Sequence, residues 1–211
     1  MKLSKKITLL ALVLGTLPVA ALADDAGTLY LQGSTTGLGL GYAKSVSKDF
    51  ALRGQYNSYK YGYTGKSSDL GSTATTTLDI NMSSLQMLGD WYPGDGGFGL
   101  TGGLVLNDNK MTVTSTGATV GSATNQTVRG EIKMSDSPSP YLGLGYSTRP
   151  KAAKGFGFVF DLGVMFQDPK VSLTSTGTTN ATNAEVENAK SDFQNAFKYW
   201  PVLGLGLSYS F

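Results

Sequence analysis

Residues Leu203 to Phe211 read LGLGLSYSF, with a large apolar side chain at every odd position and Gly or Ser at every even one. Strict period-two alternation is the pattern of a β-strand with one apolar face and one small or polar face. The apolar face finishes on two aromatics, Tyr209 and Phe211. That arrangement suits a transmembrane barrel strand, which has lipid on one side and an interfacial aromatic girdle at its end.

The front of the chain agrees with export. Lys2, Lys5 and Lys6 precede an apolar run, 7–17, too short to cross a bilayer as a helix. Pro18 and the A-x-A sequence Ala21-Leu22-Ala23 complete the pattern of a cleaved secretory signal peptide, residues 1–23. The expected mature domain is 24–211. There is no Cys, hence no lipobox, no disulfide framework and no thiolate chemistry. Loss of the leader removes three of 17 basic residues and none of 15 acidic ones, leaving a near-neutral chain with no reason to bind nucleic acid. No later stretch is long and apolar enough for a transmembrane helix. Gly is abundant, 28 of 211, and alternates with Leu, Phe and Tyr inside strand-like runs rather than clustering in linkers.

Internal similarity sets the organisation. Leu38–Tyr42 and Leu142–Tyr146 both read LGLGY, and Leu203–Leu207 reads LGLGL. Asp108–Gly117 (DNKMTVTSTG) matches Asp168–Gly177 (DPKVSLTSTG), and each follows an aromatic-glycine strand start. The repeating unit is a hairpin. The expected fold is all-β: an eight-stranded antiparallel transmembrane up-and-down barrel. Its strands fall near 27–33, 37–45, 50–63, 76–92, 98–114, 127–147, 156–174 and 198–211. Connections near 46–49, 93–97 and 148–154 are short; those near 64–75, 115–126 and 175–197 are long and polar. Short periplasmic turns and long external loops, with both ends periplasmic, are the arrangement of outer-membrane barrels. The brief Gly33–Thr36 connection leaves open whether 27–45 is one strand or two; an even count favours two.

Aromatics test the layout. Tyr42, Phe50, Trp91, Phe98, Tyr146, Phe156, Tyr209 and Phe211 fall beside periplasmic turns or the C-terminus. Phe166, Tyr199, Trp200 and the Tyr59–Tyr61–Tyr63 series fall beside external loops. Two rings at strand ends are what interfacial aromatics form.

With Leu52, Tyr56, Leu100, Leu104, Phe160, Leu162 and Val164 facing lipid, alternation assigns Arg53, Gln55, Asn57, Gln86, Asp90, Thr101, Asn107, Asp161 and Gln167 to the lumen. Arg53, Asp90 and Asp161 lie at similar distances from periplasmic turns and are expected to share one level as a lumen charge cluster. A planar guanidinium can satisfy two carboxylates. Such a group is either a plug filling a narrow interior or a charge-lined constriction; eight strands enclose just enough room for side chains. Eleven lumen-facing glycines (37, 39, 41, 99, 103, 143, 145, 157, 163, 204 and 206) fit tight closure or, alternatively, a small cavity.

Within 175–197, the capping-box sequence Thr182-Asn183-Ala184-Glu185 and apolar Val186, Ala189, Phe193 and Phe197 predict a short amphipathic helix over about 183–197. The remaining loops are rich in Thr, Ser, Gly and Asn and form no metal loop or phosphate cradle.

The ending with Leu207, Tyr209 and Phe211 resembles the C-terminal β-signal read by the outer-membrane barrel assembly machinery. The Gly-Leu-Gly strands, the alternating connections and segments such as Asp90-Trp91-Tyr92-Pro93 and Tyr199-Trp200-Pro201-Val202 resemble small proteobacterial outer-membrane barrels. These are the transmembrane domain of the OmpA type and, more loosely, OmpX- and OmpW-like proteins. The resemblance implies the outer membrane of a Gram-negative bacterium, with outer-membrane lipids and the assembly machinery as partners and any surface ligand unspecified. No peptidoglycan-binding domain follows Phe211, so that anchoring role is not implied. Enzymes built on such barrels rely, as families, on a His, and this chain has none; a Ser nucleophile would lack its usual base. With no His or Cys, metal chemistry and cofactors are not expected either. The expected role is a structural or surface-interaction barrel with a mostly filled polar lumen; the alternative is a narrow channel for small or hydrophobic solutes.

Overall fold

The computed structural model describes residues 27–67, 74–94, 96–120, 123–135, 138–148, 154–176, 191 and 194–211. The predicted signal peptide lies outside the described residues, as does most of the predicted 183–197 helix. Of that helix, 191 and 194–197 are described and are helical.

Eleven strands are present among the described residues: β1 (Gly27–Ser34), β2 (Gly37–Ser45), β3 (Phe50–Ser67), β4 (Ala74–Trp91), β5 (Phe98–Asn107), β6 (Lys110–Val120), β7 (Ala123–Lys133), β8 (Ser139–Ser147), β9 (Gly155–Phe166), β10 (Lys170–Thr176) and β11 (Tyr199–Ser210). All pairings are antiparallel. Eight strands close a ring in the order β1, β2, β3, β4, β5, β8, β9, β11 and back to β1. Closure joins the ends of the chain: Thr28 faces Ser210, Ser34 faces Gly204, and the Phe211 N–H donates to Gly27 O at 3.1 Å. Residues 27–45 are thus two strands. Ser34 pairs with Gly37 across a turn made by Thr35 and Thr36, and Gly37 takes a φ of 112° that L side chains rarely adopt.

Three expected long strands are each interrupted. The 98–114 segment is β5 plus β6, broken at 108–109. Likewise 127–147 is β7 plus β8, broken near 134–138, and 156–174 is β9 plus β10, broken at 167–169. The lower pieces belong to the ring. The upper pieces pair in the order β4, β6, β7, β10 and form, with β3 and β4, a five-stranded sheet that stands beyond it. β4 serves both parts, pairing through 84–91 with β5 and through 75–81 with β6. At the step, Ser83 O accepts from Asp108 N–H at 2.8 Å and Asn109 Oδ1 accepts from Ser83 N–H at 2.9 Å, so the broken ladder leaves those groups satisfied. The expected long loop 115–126 is therefore mostly hairpin: β6 runs to Val120 and β7 starts at Ala123. An 18-residue strand such as β4 runs about 60 Å at ~3.3 Å per residue, twice what a tilted membrane strand needs. Its upper half lies outside any bilayer that its lower half spans.

The ring is apolar outside. Leu31, Leu40, Leu52, Leu104, Leu162 and Leu205 are exposed, the last at 66 %. The edge of the ring nearest Gly27 and Phe211 carries cross-strand aromatic pairs: Phe50–Trp91, Phe98–Tyr146 and Phe156–Tyr209, with ring centroids 6.4, 4.8 and 5.1 Å apart. Phe166–Tyr199, at 5.7 Å, marks the other edge. Between these girdles β9 spans about ten residue steps, about 25 Å of height once tilted, the thickness of an outer-membrane apolar band. Two sequence expectations change here. Trp200 turns inward and packs against buried lumen side chains, and the Tyr59–Tyr61–Tyr63 series lies on the lumen-side face of the projecting sheet rather than against lipid. The unbroken register of β3 with β4 dictates this: odd positions of β3 face inward at Arg53, Gln55 and Asn57 and stay on that side to Tyr63.

Candidate functional site: the barrel lumen

All nine residues that alternation assigns to the lumen are buried, among them Asn57 and Thr101 at 0 and 1 % exposure. β3 delivers Arg53, β4 Asp90 and β9 Asp161. Arg53 Nη2 donates to Asp161 Oδ1 at 2.8 Å and to Asp90 Oδ1 at 3.0 Å, and Nη1 donates to Asp161 Oδ2 at 3.1 Å. Nε approaches Asp90 Oδ2 at 2.7 Å, an ion-pair contact outside hydrogen-bonding geometry. One guanidinium therefore ties two opposite walls of the barrel together. Thr101 Oγ1 donates to Asp90 Oδ1 at 2.7 Å and Gln32 Nε2 to Asp161 Oδ2 at 2.6 Å. The Tyr30 ring lies 5.9 Å from the guanidinium carbon, within cation–π range.

The polar network continues toward the projecting sheet. Gln55 Nε2 donates to Gln32 Oε1 at 2.9 Å and to Asn57 Oδ1 at 2.6 Å, and Asn57 Nδ2 donates to Ser84 Oγ at 3.2 Å. Thr36, in the β1–β2 turn, is fully buried and accepts from Gln86 Nε2 at 3.4 Å. Beside this network lies an apolar cluster of Leu88, Val105, Tyr141, Met165 and Val202, with Trp200 against it. Sequence reasoning leaves this cluster unassigned, along with Tyr30 and Gln32. Their signal is available: each shares the inward parity of the polar residues on its strand.

Five of the lumen glycines are seats for these side chains. A Cβ at Gly41 would collide with the Tyr30 ring, one at Gly143 or Gly163 with the Tyr141 hydroxyl, one at Gly204 with the Gln32 amide, and one at Gly39 with Gln55 and Asn57. Below Arg53, toward the chain termini, Thr28, Ser45, Tyr92 and Ser147 join the cluster in lining a cavity of about 40 Å³, too small for more than a few waters. Leu207 and Tyr209 face outward on β11, opposite Leu31 and Leu29 of β1, and Phe211 follows directly beyond the pairing. No group of three or more metal-ligating side chains occurs among the described residues.

A closed ring of eight antiparallel strands, apolar outside, aromatic at both edges and polar within, defines an integral outer-membrane β-barrel. No family model and no curated protein matches the chain. Solved structures do. Acinetobacter baumannii CarO2 superposes with a TM-score of 0.65 at 19 % identity, over 89 % of this chain and 99 % of its own. CarO of the same organism gives 0.63 at 19 % identity, over 88 and 97 %. A major outer membrane protein from Thermus thermophilus gives 0.47 at 14 % identity, over 88 and 98 %. The likeness to the two Acinetobacter proteins is one of fold.

Proposed function

We propose that this protein is a non-catalytic, structural or surface-interaction barrel of the Gram-negative outer membrane whose lumen is filled rather than conducting. The observation that carries this reading is the transverse Arg53 bridge, bonded to walls on both sides of the lumen and backed by Tyr30 and the Gln32–Gln55–Asn57 chain. An open path would have to pass this group and then the Leu88–Tyr141–Met165 cluster. Lumen glycines 39, 41, 143, 163 and 204 support the same reading, since the space of their missing side chains is taken by larger ones. The absence of His supports the non-catalytic part. The apolar exterior supports outer-membrane lipids as its surroundings, and the Leu207–Tyr209–Phe211 ending supports delivery by the barrel assembly machinery.

Single-channel recording on refolded protein in planar bilayers tests the proposal. The expected trace is silent under an applied potential. Regular ohmic steps from the wild-type protein would establish the narrow-channel alternative.

A further inference from the structure

The face of the projecting sheet that continues the lumen side is apolar over its first rows above the step. Tyr61, Ile80, Met111, Ile132 and Val171 form one register row across β3, β4, β6, β7 and β10. Two cavities flank the Ile80–Met111 pair of this row. The larger, of about 440 Å³, lies between Tyr59, Ile80 and Met82 and the β1–β2 turn. The smaller, of about 250 Å³, is lined by Met111, Val113, Val128, Ile132 and Val171 among others. No described residue lining either cavity is charged. An apolar cavity of about 150 Å³ already takes up benzene, so each has room for a small apolar group and the pair for an extended one. Below Met82 the next inward residue, Ser84, is fully buried and bonded to Asn57, and Gln86 is bonded to Thr36.

The larger cavity also reaches the lipid side of the ring. β1 ends at Ser34 and β2 starts at Gly37, and among the described residues no strand of the projecting sheet stands above them. Leu38, 59 % exposed on the lipid-facing side, lines the cavity. Its partner Gly33 lines it too and leaves open space where a side chain would stand. The rim is thus notched at Gly33. Apolar surface runs from Leu40 and Leu38 over this notch to Met82 and Ile80.

We infer that the notch and the two cavities form a dead-end site for one long alkyl chain, which enters sideways from the outer leaflet over Gly33. This inference rests on the proposed membrane placement and filled lumen. Three features select the ligand class. The lining offers no charge to an ionic group. The cavities follow one another along the sheet, which suits a chain rather than a compact body. The entrance opens onto the lipid-facing surface. Binding is driven by the protein's own apolar face, which otherwise stands in water above the bilayer. Any polar headgroup stays outside the notch.

The test uses full-length protein refolded into lipid bilayers and palmitic acid carrying a terminal diazirine, with photolabelled residues mapped by mass spectrometry. Wild type should be labelled at Tyr59, Ile80, Met82 and Met111, and excess plain palmitate should remove that labelling. Labelling of the lipid band, at Leu104 and Leu162, should not respond to the competitor and serves as the reference. Ile80→Asn with Met111→Asn should reduce the competable labelling about tenfold or more, the factor that burial of one such side chain supplies. Gly33→Phe fills the notch and should reduce it similarly. That variant should keep the heat-modifiable gel shift of a folded barrel, because nothing lies within 4 Å of the added Cβ. A phosphatidylcholine with the same diazirine chain separates the sources: competable labelling by it shows that a lipid's own chain enters, and labelling by the acid alone shows that a free chain does. Labelling that the competitor does not remove, or that equals wild type in either variant, overturns the inference. Competable labelling at Tyr92, on the far side of Arg53, would show passage and overturn both the dead end and the filled-lumen reading beneath it. Wild type without the gel shift sinks the barrel reading instead.

Discussion

Arg53 brings a full positive charge into a space sealed by the Tyr30 ring over its face and by carboxylates at its edges. Removing one partner of a buried ionic group commonly costs roughly 3–5 kcal/mol, because the remaining charges lose compensation. Arg53→Ala should therefore lower the denaturant midpoint of the folded barrel, and adding Asp90→Asn with Asp161→Asn should recover part of the loss. A gating residue would behave otherwise, changing conductance at nearly constant stability. The seats make a second residue-scale prediction. Gly41→Val places a side chain in the Tyr30 ring and should cost about 1–3 kcal/mol, the usual range for overpacking. Tyr30→Ala in the same chain should relieve most of that cost in a double-mutant cycle; additive losses would show that Gly41 matters for another reason.

At the scale of elements, the two DNK/DPK repeats acquire a meaning. Each begins where a strand leaves the barrel, at 108 and at 168, and continues as β6 and β10. The repeat marks the step, and its Lys110 and Lys170 are what place lysines level with each other. Above the step the sheet reverses polarity. Its lumen-side face carries Tyr61, Ile80, Met111, Ile132 and Val171 in one register row; its outward face carries the charges. Leu205→Arg, in the lipid-facing band, should cost about 2–4 kcal/mol on refolding into bilayers, while Thr114→Arg, outward on β6 above the step, should cost little. Similar losses at both sites would contradict the membrane boundary drawn at the step. Trypsin added to intact cells should cut after Lys66, at the tip of β3, and spare Lys154, at the opposite end. Cleavage at Lys154 alone would invert the topology.

Seen whole, the molecule is a closed cylinder with a tall wall on one side, and its parts are unequally legible in the sequence. Period-two alternation carries the ring, the lumen assignment and the level shared by Arg53, Asp90 and Asp161, because a strand's parity is a local property. It does not carry the strand breaks: Asp108-Asn109 and Asp168-Pro169 resemble turn residues anywhere, and only the change of β4's partner from β5 to β6 makes them a step. Trp200 and the three tyrosines are misplaced when aromatic position along a strand is weighed above parity. The apolar lumen cluster escapes because Leu88 and Met165 look like lipid-facing residues until their strand neighbours are counted.

The proposed barrel has lipid outside and packed side chains inside. The absence of Cys permits a direct measurement: single cysteines placed in turn at 51–63 along β3, each challenged in the refolded, membrane-inserted protein with a water-soluble maleimide. No labelling is expected at either parity through 57, since even positions face lipid and odd ones are packed, and ready labelling at 59, 61 and 63. Labelling of 53, 55 and 57 alternating with protection of 52, 54 and 56 is the signature of a water-filled lumen and would contradict it.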